Sequence, residues 1–311
     1  MQNRTDFLAR PDGARVFLQH WMPEPGVPVR GVFQVVHGLA EHVARYARFA
    51  NALTDAGFAV FGSDHRGHGR TAPTPADLGH MADAGGFDKV TGDLLAVGEL
   101  ARAAHPDVPF FLFGHSMGST YGMHLLHRRP EPVRAAIFTG PTGQVGAIRK
   151  VGRVIAAAER LRVGREARSK LLHLMSFGEF NKPFRPARTE MDWLSRDPAE
   201  VDKYVADAWC GFRVSTQFWC DFLDGMEAMY ADAFVERMRY APQTLVLAGE
   251  ADPAGGMAAQ VRPWVARLVA AGAPFELETY PGARHELLNE INREEVTARI
   301  LGWVEARLAA A

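Results

Sequence analysis

Gly114-His115-Ser116-Met117-Gly118 follows the apolar run Val108-Pro109-Phe110-Phe111-Leu112-Phe113 and precedes Ser119-Thr120-Tyr121-Gly122-Met123-His124-Leu125-Leu126. The order is apolar strand, glycine-flanked turn, helix. A continuous apolar run predicts a strand buried on both faces, as in a parallel sheet. A serine at the turn stands at the C-terminal end of that strand with its hydroxyl exposed. The two glycines let the backbone reverse sharply beside its neighbours, and the next helix aims its first N–H groups at the same spot. This pattern predicts a nucleophile elbow.

Working outward, Leu8 and Val16-Phe17-Leu18 flank Pro11-Asp12-Gly13 and predict an opening hairpin. Strands are expected at Gly31 to Val36, Phe58 to Phe61, Val133 to Phe138, Thr244 to Ala248 and Phe275 to Tyr280. Helices are expected from Arg45 to Ala56, Asp88 to Ala104 and about Arg293 to Leu308. The alternation predicts an α/β chain with a mostly parallel, doubly wound sheet. From Gln144 to Arg239 the pattern changes to helical segments rich in aromatics, among them Phe177, Phe180, Trp193, Tyr204, Phe212, Trp219 and Phe222. The expected organisation is a core of 1–143 and 240–311 with a helical cap, 144–239, inserted over the C-terminal edge of the sheet. Ligands bind at that edge in open α/β sheets.

Composition narrows the function. The 311 residues are 47% hydrophobic and 23% charged with a net charge of -1, which leaves no electrostatic footprint for nucleic acid. No stretch reaches the roughly 18 consecutive apolar residues of a membrane span. Met1 to Phe7 lack the apolar core of a secretory signal. Cys210 and Cys220 are the only cysteines, which fits a reducing compartment. A cytoplasmic protein is expected.

A serine hydroxyl needs a base to take its proton and a third group to orient that base. At such elbows the chain order is serine, acid, histidine. The strand ending at Ala248 runs into Gly249-Glu250-Ala251-Asp252-Pro253, and the one ending at Tyr280 runs into Pro281-Gly282-Ala283-Arg284-His285-Glu286. Asp252 is assigned as the acid and His285 as the base, with Glu250 and the more distant Asp224 as rival acids. An oxyanion hole needs two backbone N–H donors. Met117, after the serine, supplies one. Leu39, in the loop His37-Gly38-Leu39-Ala40-Glu41-His42, is assigned the other.

That loop, together with Asp64-His65-Arg66-Gly67-His68-Gly69-Arg70, Gly114-His115-Ser116-Met117-Gly118, Gly249-Glu250-Ala251-Asp252-Pro253 and His285-Glu286-Leu287-Leu288-Asn289-Glu290, resembles the motif set of the monoacylglycerol lipase and lysophospholipase group. The group belongs to the α/β-hydrolase superfamily and is often labelled serine aminopeptidase-like. The resemblance covers the core on both sides of the insertion; the insertion resembles the group's cap only loosely. It implies an α/β-hydrolase fold, triad roles for Ser116, Asp252 and His285, and oxyanion roles for Leu39 and Met117.

The expected activity is hydrolysis of carboxylic esters, monoacylglycerol-like or other small acyl esters, through an acyl-enzyme and without a cofactor. An aminopeptidase or a carbon–carbon bond hydrolase on the same triad stays open, as does a ligand-binding protein with little turnover. Acidic residues of the insertion, such as Glu159, Glu166, Glu179, Glu190, Glu200 and Glu227, are available to hold a substrate ammonium. His37, His42, His65 and His68 match no familiar metal-ligand spacing, so no metal is assigned. Asp64, His65 and Arg66 are expected to fix their loop. Val151, Val154, Ile155, Ala158 and Leu161 fall at helical spacing and are expected to pack on the core rather than touch lipid aggregates. Weak interfacial contact through the cap is the most expected of a membrane.

Overall fold

The computed structural model describes residues 1–128, 133–144, 146 and 148–308. The first half of the chain forms β1 (Gln2–Ala9), β2 (Arg15–Met22), β3 (Gly31–Val36), α1 (Ala47–Asp55), β4 (Phe58–Ser63), α2 (Gly86–Ala104), β5 (Phe110–His115), α3 (Met117–Arg128) and β6 (Ala135–Thr139). A helical stretch follows: α4 (Ile148–Val163), α5 (Lys170–Phe177), α6 (Pro198–Ala206), α7 (Thr216–Met229) and α8 (Asp232–Arg237). The chain closes with β7 (Gln243–Gly249), α9 (Val261–Ala270), β8 (Phe275–Tyr280) and α10 (Arg293–Leu308).

Among the described residues eight strands form one sheet in the order β1-β2-β4-β3-β5-β6-β7-β8. Only β1–β2 and β2–β4 are antiparallel; every other pair is parallel. The period-2 geometry of the central strands sorts their side chains onto two faces. Val35, Phe113, Ile137 and Leu247 go to one, under α1 and α10 through Leu53 and Trp303. Val36, Leu112, Phe138 and Val246 go to the other, under α2, α3 and α9 through Leu94, Tyr121 and Trp264. Both faces are covered, so every residue of β3, β5 and β6 is buried and these strands are mostly apolar. At one edge β8 carries Glu276 and Glu278, which bond Arg307 and Arg299 of α10 and discourage pairing with another strand.

The predicted strands and helices all form, with shifted ends. The opening hairpin is much longer than its turn signal suggested, pairing Gln2 through Ala9 with Met22 through Arg15. The predicted helix at Arg45 begins as a 3-10 turn, Val43–Tyr46, before α1. Helix α9 was not anticipated from the sequence, although parallel neighbours such as β7 and β8 require a crossover connection between them.

One packing expectation fails. Val151, Val154 and Leu161 of α4 are 54%, 70% and 83% exposed, and Ala158 is exposed as well. The stripe that α4 buries includes Ala156 and Glu159, with Ile155 packed at its margin. Helix α7 lies against α4, and Arg160 reaches Gln217 at 2.9 Å while Arg153 pairs with Asp224. Small Ala156 allows close approach of the helices, which turns the larger Val151, Val154 and Leu161 outward.

Candidate active site

Sheet order decides where loops meet. Strand β4 lies on one side of β3 and β5 on the other, so the succession of strands reverses between β3 and β5. A crevice opens at the carboxyl ends of strands at such a switch point. The loops after β3 and β5 flank it, and those after β7 and β8 approach from the side.

Ser116 follows β5 with φ of 51°, in the left-handed region that non-glycine residues adopt rarely and at a cost. The conformation is held by three bonds. The Ser116 N–H donates to the Thr139 carbonyl at 2.9 Å, and the Ser116 carbonyl accepts from the Ser119 N–H and hydroxyl at 2.9 and 2.6 Å. Gly118 is required beside it, because a Cβ there would collide with the Val36 carbonyl. Met117 is the first residue of α3, and the first N–H groups of a helix have no partner within it.

His285 and Asp252 come together across the ends of β8 and β7. The His285 Nδ1–H donates to Asp252 Oδ2 at 2.9 Å, and both side chains are buried. Asp252 Oδ1 accepts from the Ala254 N–H at 2.8 Å, which orients the carboxylate. Burial pushes the His285 pKa down, but the Asp252 carboxylate beside it, with Glu286 and Glu41 beyond, outweighs this and leaves it above the ordinary imidazole value. The rival acids are engaged elsewhere: Glu250 bonds Arg262 and Thr279 at 2.6 and 2.8 Å, and Asp224 pairs with Arg153.

The loop after β3 is fixed from behind. Glu41, buried, accepts from the Gly38 N–H at 2.5 Å and the Tyr46 hydroxyl at 2.7 Å. Arg45 bridges Glu41 and Glu286 at 2.6 and 2.7 Å, and its positive charge outweighs burial in holding the Glu286 carboxyl well below its usual range. A Cβ placed on Gly38 would lie 3.3 Å from the Ser116 Cβ, so Leu39 starts a wall directly beside the serine. Arg45 and its two carboxylates escaped sequence reasoning. Glu41 and Glu286 were visible within motifs, but nothing in the sequence placed Glu286, 241 positions from Arg45, on the same guanidinium as Glu41.

The histidines of the neighbouring loops serve the backbone. His37 accepts from the His65 N–H at Nε2, 3.0 Å, and donates from Nδ1 to the Gly38 carbonyl, 2.8 Å. His65 returns a bond from Nε2 to the His37 carbonyl at 3.0 Å. Burial lowers the pKa of His65 to about 3 and of His68 to about 4, so both rings are neutral. Asp64 accepts from the Val43 and Arg70 N–H groups, and Arg66 bonds Asp93 and Asp12. These residues hold their loop, as expected.

Ser116, Met117, Leu39 and His285 all face one cavity of about 710 Å³. Its inner wall is aromatic and apolar, with Phe177, Trp193, Trp219, Phe222 and Met226 from the helical stretch. Its mouth carries Arg185, Arg188 and Arg213. Trp193 was singled out only as one aromatic among many. Its ring packs 4.9 Å from that of His285, and its carbonyl accepts from the His285 N–H at 3.4 Å.

The comparisons agree with this architecture. The model of the serine aminopeptidase S33 family matches residues 27–292. The chain is 29% identical to mouse (Mus musculus) monoglyceride lipase over 98% of this chain and 91% of that one. It is 27% identical to the monoacylglycerol lipase of Mycolicibacterium smegmatis over 95% of each. The crystal structure of a thermostable carboxyl esterase from Bacillus coagulans superposes with a TM-score of 0.88 at 27% identity, covering 99% of both chains. The chain therefore belongs to the serine aminopeptidase S33 family, has the α/β-hydrolase fold, and falls with the monoacylglycerol lipase-like carboxylic-ester hydrolases.

Proposed function

We propose that the protein cleaves monoacylglycerol-like or other small acyl esters by a Ser116–His285–Asp252 triad through an acyl-enzyme. The observation that carries this reading is the His285–Asp252 pair opening, with Ser116, into one apolar cavity. With its Nδ1–H donating to Asp252, the neutral His285 keeps the Nε2 lone pair for the Ser116 proton. The serine oxygen attacks the ester carbonyl, and the Leu39 and Met117 N–H groups hold the oxyanion. Collapse of the tetrahedral intermediate expels the alcohol with the proton that His285 carries. Water, deprotonated by the same ring, then releases the acid.

In this reading residues 144–239 form the cap, which roofs the cavity and sets acyl length. The pocket volume lies in the range of small-molecule sites, roughly 300–1,000 Å³. The aminopeptidase alternative finds less support. Glu159, Glu179 and Glu200 are tied to Arg162, Lys182 and Arg48, and of the insertion's acidic candidates only Glu190 lines the cavity, beside three arginines. A substrate ammonium would meet net positive charge there.

No helix among the described residues is long and apolar enough to cross a membrane. Val151, Val154 and Leu161, with Leu171, Leu174 and Met175 of α5, are exposed, and Leu174 also lines the cavity. This supports weak contact with lipid aggregates near the pocket mouth. Cys210 and Cys220 are both free thiols, which fits the cytoplasm.

The test is a panel of initial rates on monoacylglycerols and other esters of increasing acyl length, with a free aminoacyl arylamide alongside. Ester turnover that falls by about 10⁶ in Ser116→Ala, while the arylamide stays uncut, supports the reading. Full activity in that variant would sink it.

A further inference from the structure

His42, Asp207 and Cys210 offer an imidazole nitrogen, a carboxylate oxygen and a thiol sulfur that all lie within 4.8 Å of one another. We propose that these three side chains form a binding site for a zinc-class divalent cation, joining the helical stretch to the loop after β3. The site is separate from the Ser116 pocket and does not depend on which bond the enzyme cleaves.

The local fold brings the ligands together. Asp207 ends α6, and the Cys210 N–H donates to its carbonyl at 3.0 Å, closing a tight turn that places residues 207 and 210 side by side. The Trp209 N–H occupies Asp207 Oδ1 at 2.8 Å. That leaves Oδ2 for the His42 Nε2–H, also at 2.8 Å. In a tetrahedral zinc site, with Zn–S of about 2.3 Å and Zn–N of about 2.0 Å, ligand atoms stand roughly 3.3–3.8 Å apart. The nitrogen and oxygen, 2.8 Å apart, need only part slightly, and the sulfur already lies within 4.8 Å of both. The His42 and Asp207 side chains keep 15% and 29% of their surface exposed, so water completes the coordination from the open side.

Charge and ligand type select the ion. Of the charged groups that act most on the Cys210 sulfur, one is a cation, Arg45, and three are carboxylates, Glu41, Asp207 and Glu286. A thiolate with an imidazole suits zinc and disfavours magnesium, which prefers oxygen ligands. On binding, the Cys210 thiol releases its proton to water. The His42 proton moves from Nε2 to Nδ1, and the ring stays neutral. The two ligand charges, one thiolate and one carboxylate, balance the ion. Another grouping, His80, Asp83 and Glu166, has no sulfur, and two of its members are exposed.

The ion would add a third tie at a junction that already has two. Ala40, next to Leu39, accepts from the Gly211 N–H and from the Tyr204 hydroxyl, each at 2.9 Å. Binding to the folded protein alone raises its thermal stability.

The experiment is zinc titration by calorimetry on the metal-stripped full chain, with thermal melts and cobalt(II) absorption, for the parent, Cys210→Ser, Asp207→Asn and His42→Gln. Expected are one tight zinc per chain, a higher Tm with zinc, at least tenfold weaker binding in each variant, and no effect of magnesium. Cobalt should give a thiolate charge-transfer band that Cys210→Ser loses. Zinc binding unchanged across all three variants, or no thiolate band in the parent, overturns the proposal. If one variant fails to fold without metal, the parent's cobalt band and the remaining variants decide.

Discussion

The loops at the carboxyl edge of the sheet and the helical stretch above them build one cavity by opposite means. At the sheet edge the candidate serine and acid follow buried strands, β5 and β7, and near neighbours in sequence hold them. Ser116 is fixed by Gly118 and Ser119, Asp252 by Ala254, and Gly38 by Glu41. In the helical stretch the cavity wall comes from residues far apart in the chain, such as Phe177, Trp193 and Trp219, whose positions follow from helix packing. In the proposed reading, chemistry is thus written in short motifs and substrate shape in long-range packing. Substitutions in the first region should change rate, and those in the second should change preference.

After the loss expected at Ser116, the largest contrast is expected at Asp252. Asp252→Asn should cost about 10⁴ in kcat, since the imidazole loses its orienting partner and the correct tautomer. Its pH profile should move too. In the proposed mechanism the base works as neutral imidazole; Asp252 holds the His285 pKa above the ordinary value, so parent activity should be present at higher pH and be lost as pH falls through that raised pKa. In the variant burial dominates, and the acid limb of kcat/KM should shift to lower pH. An unmoved limb would mean that another group titrates.

Glu41→Gln probes support for the loop rather than chemistry itself. It leaves the buried Arg45 with Glu286 alone and weakens the hold on Gly38. Breaking a buried pair costs about 3–5 kcal/mol when one partner's charge is stranded; with Glu286 remaining, the loss read by urea denaturation should be about 2 kcal/mol. Displacement of Leu39, the proposed oxyanion donor, should lower kcat roughly 10- to 100-fold with little change in KM. Loss of stability with kcat intact would separate the loop from the reaction.

Trp219→Ala should leave the rate on the best short ester within a few-fold and shift the acyl-length optimum upward. The ratio of long to short esters should change by about 10- to 100-fold, the scale of apolar pocket discrimination. A uniform fall on all esters would place Trp219 in structural support only. The smallest effect is expected for Val154→Ser combined with Leu161→Ser. Both side chains are exposed, so stability should stay within about 0.5 kcal/mol of the parent, while retention on lipid vesicles falls.

Much of the core was legible in advance because its signals are local. Apolar runs marked β3 and β5, and turn residues and order along the chain selected Ser116, Asp252 and His285 as candidates that the fold then gathers. Helix α9 went unread between two clear strands. On α4, Val151, Val154 and Leu161 matched helical spacing as well as the buried stripe did. Spacing gives the period of a helix, but which side is covered depends on where α7 comes to lie.

The sequence by itself determined the strand–turn–helix at Ser116, the alternating α/β plan and the candidate acid and base, because backbone sterics and hydrophobic periodicity act over a few residues. Only the tertiary structure decided that Arg45 serves Glu41 and Glu286 together, that Trp193 backs His285, that the arginines gather at the cavity mouth, and that His42 meets Asp207 and Cys210. Those contacts join elements up to 241 residues apart, and their geometry exists only once the sheet order and the packing of the helices have set the distances between them.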